Sequence, residues 1–276
     1  MKKILLCAVA VATTMSLTSC LSEEEVNLKK GDMGTITVNI EADNSLATRA
    51  NVADVTSWYA WVKKGETDKY GTEATKTQIG TTLASTPMAF GDDYTVTVSN
   101  YANMTAALAE NSGFGVPYYE GSETGVTVTA GSQATVNIDC GKAKNSKLVL
   151  DYSDFSGATL NEVVVTGSSS REVTFNSSTL SNAAYFVGGD VISYVVKYQI
   201  GDNEEQTYTS TDATKPTLAA GTLNKLLFKT NANGTISIGT ITYDDKFGAG
   251  TSKVVTISAE NGSVLTVEDG TVEAES

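Results

Sequence analysis

The sequence predicts an all-β chain of two tandem β-sandwich domains with one short helix. Three observations carry that expectation. Apolar and polar residues alternate with a period of two along most of the chain, as half-buried strands require. Turn residues interrupt the alternation at roughly 8–12-residue spacing, the rhythm of a sandwich. Composition agrees: 276 residues hold 24 glycines but three prolines, which suits strands and turns and not a disordered or collagen-like chain.

The elements follow in order. Thr35-Ile36-Thr37-Val38-Asn39-Ile40 places three β-branched aliphatics on one face of a first strand. Further strands are expected over 56–63, 94–99, 125–129 and 134–140, with turns at Gly91-Asp92-Asp93 and Ala130-Gly131-Ser132. Met104, Ala107 and Leu108 have helical spacing, and Asn111 to Gly113 would end that helix. The polar run Gly141-Lys-Ala-Lys-Asn-Ser146 reads as the junction between the halves. The second half offers strands over 147–152, 161–166, 171–175, 183–187, 191–200, 205–209, 222–230 and 235–243. Asn233-Gly234 is a hairpin turn signal, because a type I′ turn needs positive φ. Strands over 253–257 and 264–267, joined at Asn261-Gly262, read as a terminal hairpin, with a frayed tail from Glu268 to Ser276. The expected segments are 1–19, 20–33, 34–141, 142–248 and 249–276. The two halves are alike in layout without a residue-level repeat.

The N-terminus carries an address. Lys2-Lys3, the apolar run from Ile4 to Ala12 and small residues before Cys20 describe a secretory signal over 1–19. The run is far shorter than the ~20 residues that span a bilayer. Leu17-Thr18-Ser19-Cys20 resembles the lipobox of bacterial lipoproteins, which implies cleavage before Cys20 and acylation of its sulfur and of the new N-terminus. Leu21-Ser22-Glu23-Glu24-Glu25 opens the 20–33 linker and resembles the acidic surface-export signal of Bacteroidetes lipoproteins. The resemblance implies a chain anchored in the cell outer membrane and facing outward. Multiple acyl chains suffice for stable anchoring.

Charge and residue types exclude several chemistries. The net charge of −13 argues against nucleic acid, whose binding rests on cations neutralising phosphates. The chain has no histidine, which removes Ser-His-Asp and Cys-His catalysis and every imidazole metal site. Loss of Cys7 with the signal and lipidation of Cys20 leave Cys140, so no intramolecular disulfide is expected. Cys140 shares its alternating face with Ala134, Val136 and Ile138 and reads as a small core hydrophobe. Adjacent acids at Asp92-Asp93, Glu204-Glu205 and Asp244-Asp245 would point to opposite faces of a strand and converge on no bond. No enzyme, cofactor or metal is expected.

Several landmarks together resemble a family of Bacteroidetes lipoproteins known by a domain-of-unknown-function name and related in style to fimbrillins, the type V pilins. They are Gly34 to Glu41, Thr48-Arg49-Ala50, Asp93 to Val98, Pro117-Tyr118-Tyr119-Glu120-Gly121, Val136 to Cys140, Ala183 to Phe186, and Leu218 to Thr222. The resemblance implies Greek-key, fimbrillin-like sandwiches and a structural or adhesive role as a fimbrial subunit or its anchor. It also implies a mechanism: cleavage after Arg49 releases a first strand whose plugs are Ile36, Val38 and Ile40. A strand from another subunit fills the groove by β-augmentation. An exposed loop with an arginine is the plainer account of Arg49. The partners implied are the outer membrane, through the lipid, and other pilin-like subunits or a host or glycan surface.

A second function competes. Trp58-Tyr59-Ala60-Trp61 puts Tyr59 and Trp61 on one strand face and Trp58 on the other. One face is sandwich core; the other would make a platform for a surface glycan-binding lipoprotein serving polysaccharide uptake, and Tyr118 and Tyr119 are either a second such surface or packing under a loop.

Overall fold

A computed structural model describes residues 32–43, 49–51, 54–211, 215–231, 235–243, 250–258 and 264–272. Cys20 and its flanks, the Asn233-Gly234 and Asn261-Gly262 turns and Asp244-Asp245 lie outside the described residues. The described residues are mostly β and form four sheets, as two β-sandwich domains with one short α-helix.

The first sandwich contains β1 (Met33–Asp43), β2 (Arg49–Asn51), β3 (Tyr59–Lys64), β4 (Thr67–Tyr70), β5 (Thr77–Gln78), β6 (Met88–Ala89), β7 (Gly91–Ser99), helix α1 (Met104–Ala109), β8 (Glu120–Val128) and β9 (Gln133–Asp139). One sheet holds β1 with β2, β6 and β9; the facing sheet runs β4-β3-β7-β8, with β5 on β3. The second sandwich contains β10 (Asn145–Asp154), β11 (Ala158–Gly167), β12 (Glu172–Asn176), β13 (Ala184–Val187), β14 (Ile192–Ile200), β15 (Gln206–Thr209), β16 (Leu223–Thr230), β17 (Thr235–Tyr243), β18 (Gly250–Ser258) and β19 (Val264–Val272). Its sheets run β13-β10-β16-β17-β18-β19 and β12-β11-β14-β15.

With the short strands β2 and β5 and the added strands β17 to β19 set aside, the two sandwiches repeat one seven-strand topology. In each, the first strand pairs parallel with the seventh, β1 with β9 and β10 with β16. It also pairs antiparallel with the fourth, β1 with β6 and β10 with β13. The facing sheets match as well: β3 takes β4 and β7, as β11 takes β12 and β14. β7 then takes β8, as β14 takes β15. The layout repeats although the residues do not. The terminal hairpin extends the sheet of the second sandwich through β17, and β19 carries the strand on to Val272 in place of a frayed tail from Glu268.

Local chemistry moves two expected strand starts. The strand expected from Thr56 begins at Tyr59, because Asp54 accepts from the Thr56 N–H and hydroxyl and Trp58 N–H closes a turn on Val55. Gly91-Asp92-Asp93 belongs to β7 and not to a turn before it; positive φ at Gly91 and Asp93 marks a bulge in the pairing with β8. Asn103 caps α1 by accepting from Ala106 N–H, and a 3-10 turn over Asn111–Gly113 follows.

Two apolar cores lie inside. The first runs from Ile36 to Cys140, with Ala143 packed against it. The second runs from Leu148 to Ile238 and also contains Phe114, from the loop after α1. Phe114 meets Phe175 edge-on at 5.3 Å. Polar contacts hold this loop to the second sandwich. Tyr185 N–H donates to Phe114 O, and Arg171 donates from Nη2 to Gly113 O at 2.7 Å. Asn145 bridges Val116 O and Tyr118 N–H at 2.7 and 2.9 Å. The two sandwiches are therefore clamped and not merely tethered.

Candidate functional site

The residues expected to act as a releasable strand lie on β1. Ile36, Val38, Ile40 and Ala42 point into the first core and are buried, while Asn39 and Glu41 point to solvent. β1 lies parallel to β9 in unbroken register, Thr35 opposite Gln133 through Glu41 opposite Asp139. Ile36, Val38 and Ile40 thus sit beside Ala134, Val136 and Ile138, and Asn39 Nδ2 donates to Asn137 Oδ1 at 2.9 Å on the outer face. The other edge of β1 is held only at its ends among the described strands, by β6 at Met33–Gly34 and by β2 at Glu41–Asp43. The 3-10 turn over Leu83–Ser85 packs against β1 as well.

Arg49 is the first residue of β2, and its backbone pairs opposite Asp43. The expected cleavage point is thus a short extended segment laid on β1, and the Arg49–Ala50 bond lies within it. Gly34 fixes how β1 seats. A Cβ there would lie 2.5 Å from Thr129 O and 2.7 Å from Val128 Cγ1. Gly34 is required for space, since its backbone is ordinary strand.

The aromatic residues divide. Trp58, Ala60 and Val62 face the first core. Tyr59 and Trp61 lie half-buried on the outer face of the same strand. There Trp61 Nε1 donates to Asp68 at 2.5 Å, and the Lys63 ammonium stands 5.1 Å from the Trp61 ring centroid. Tyr118 and Tyr119 are both buried, which corrects their expected place in an exposed platform. Tyr119 packs in the first core. The Tyr118 hydroxyl donates to Glu120 Oε2 at 2.6 Å, and Lys76 Nζ sits 2.8 Å from the same oxygen and 3.3 Å from the hydroxyl. Burial, with the hydrogen bond to Glu120, raises the Tyr118 phenol far above its usual range. Burial also pushes the Glu120 carboxyl up. The Lys76 and Tyr118 hydrogen bonds outweigh it and leave the group below its usual value. Phe114 to Tyr119 form a loop between two cores, and neighbouring side chains there are both buried, which is the packing-under-a-loop reading of this pair.

Cys140 is buried beside Ile138 in the first core, and burial pushes its thiol up to about 12, so it is an inert hydrophobe at neutral pH. Among the described residues, no three Cys, Asp or Glu side chains converge as metal ligands. A hollow of about 250 Å³ opens where β10 bulges between Asp151 and Asp154, but Asp151 already accepts from the Ser153 N–H and hydroxyl.

The fold and these contacts define a tandem β-sandwich protein with a parallel, core-filling first strand in each half. The chain belongs to the DUF4493 family, a domain of unknown function, whose model matches residues 32–261. The matched span takes in the first sandwich and the second as far as β18, and ends before β19. No curated protein matches the chain.

Proposed function

We propose that this chain is an outer-membrane surface lipoprotein with a structural or adhesive, non-enzymatic role, akin to a fimbrial subunit or anchor that assembles by strand exchange. One observation carries it: β1 is a core-filling strand whose only long backbone partner among the described strands is β9, and Arg49 lies on the short strand laid against its far end. Burying three aliphatics of the size of Ile36, Val38 and Ile40 contributes roughly 5–9 kcal/mol. A sandwich stable by about 5–15 kcal/mol does not tolerate the loss of β1 without a replacement. A cut after Arg49 leaves β1 held by non-covalent contacts alone, so a strand from another copy with the same alternation competes for the groove.

The lipobox at Cys20 and the acids Glu23 to Glu25 supply the location. The rival role in glycan uptake keeps one supporting feature, the half-exposed Tyr59 and Trp61 on the outer face of β3, with Lys63 and Asp68 holding the indole. Intact-mass analysis of the protein from native outer membranes tests the proposal. It is expected to find acylated Cys20 at the N-terminus and a fraction of chains beginning at Ala50. Unmodified chains beginning elsewhere would defeat both parts.

A further inference from the structure

The repeated topology exposes one difference between the halves. In the second sandwich the seventh strand, β16, has β10 on one edge and β17 on the other, paired from Leu223↔Tyr243 to Thr230↔Ile236. In the first sandwich the equivalent β9 pairs with β1 alone among the described strands. No described strand takes, beside β9, the position that β17 fills beside β16.

That edge of β9 is regular and chemically ready. Ser132 O and Cys140 N bond to β1, so the even-numbered backbone groups of β9 face β1. The N–H and C=O groups of Gln133, Thr135 and Asn137 therefore face outward along the free edge. Natural proteins blunt free edges with shortness, bulges, charge or proline. The other described edges show these devices. β4 is short, bulged and carries Asp68 and Lys69; β8 is bulged against β7 and carries Glu120 and Glu123. β12 is five residues and opens on Glu172, β13 and β15 are four residues each, and β19 is bulged against β18 and carries Glu268 and Asp269. β9 has seven residues, no bulge, no proline and no charge before Asp139. A groove of about 360 Å³ runs beside it, lined by Ala134 to Asn137 and by Glu123, Val126 and Thr127 of β8.

The geometry points to a second copy of this chain as the occupant, with the two β9 edges paired antiparallel about a two-fold axis at Thr135. Thr135 then bonds Thr135 of the other copy, and Gln133 stands opposite Asn137 in both directions. The pairs that exchange backbone bonds at Thr135, Gln133 and Asn137 are polar and uncharged, Ala134 stands opposite Val136 on the inner face, Asp139 falls opposite Gly131, and Glu123 of β8 is the charged residue lining the groove. A two-fold contact of this kind closes on itself. It continues the sheet across both copies, as β17 continues it within the second half. It needs neither lipidation nor a cut at Arg49.

Sedimentation of the uncut protein in detergent, across a concentration series, tests this. The wild type is expected to pass from one chain mass to two. Thr135→Lys places two ammonium groups face to face on the axis and should hold the protein at one chain mass with an unchanged melting curve, since Thr135 is exposed. Two double variants test the register. Gln133→Lys with Asn137→Asp opposes unlike charges and should keep the dimer, while Gln133→Asp with Asn137→Asp opposes like charges and should lose it. A wild type that stays monomeric throughout, a Thr135→Lys protein that still dimerises, or double variants that behave alike would overturn the proposal.

Discussion

Lys76, Tyr118 and Glu120 show how single residues constrain this protein. Lys76 is buried, and its ammonium is satisfied by one carboxylate oxygen and one phenol. Lys76→Met keeps the stem but strands Glu120 and Tyr118, so it should cost about 1–3 kcal/mol in urea unfolding, in line with leaving a partly buried charged group without its partner. The pH dependence has a definite sign. Glu120 lies below its ordinary value of 4.5 when folded. Its contribution is present above that value and is lost as pH falls through the lower folded value. Glu120→Gln should therefore flatten the acid limb of stability below about pH 4.5, measured as urea midpoint against pH. An unchanged acid limb would show that the cluster does not couple to folding.

Elements were legible where alternation alone decides them. The inward faces of β1 and β9 read directly from Ile36-Val38-Ile40 and Val136-Ile138-Cys140, as did the helix at Met104 with its end near Asn111. Strand direction was not legible. The parallel pairing of β1 with β9 joins residues almost a hundred positions apart, and alternation looks the same whichever way a partner runs. Nor was the loop after α1, where Phe114 serves the second core although the chain has not yet entered the second sandwich. That arrangement makes Phe114→Ala a test of the clamp. It should destabilise the second sandwich by about 3–5 kcal/mol in a two-domain melt, with a smaller effect on the first. Gly34→Val is the matching test for β1. Its side chain would collide with Thr129 O, and a loss of about 1–3 kcal/mol is expected from the first transition.

The whole molecule combines two clamped sandwiches with a first strand that fills the core of its own domain, behind the proposed lipid anchor. Cys20→Ala should release the protein from outer membranes into the soluble fraction without altering its circular dichroism, because the proposed anchor at Cys20 precedes the first strand. Retention in the membrane together with uptake of labelled fatty acid would contradict the anchor. The central claim concerns β1. Limited trypsin digestion, checked by mass for a single cut after Arg49, should yield a chain that is less stable than the intact one and that binds a synthetic peptide spanning Gly34 to Ala42. The intact chain should ignore the peptide. The cut chain should also refuse a peptide carrying Gly34→Val, whose side chain has no room beside Thr129. A cut chain that keeps full stability and binds neither peptide would contradict strand exchange.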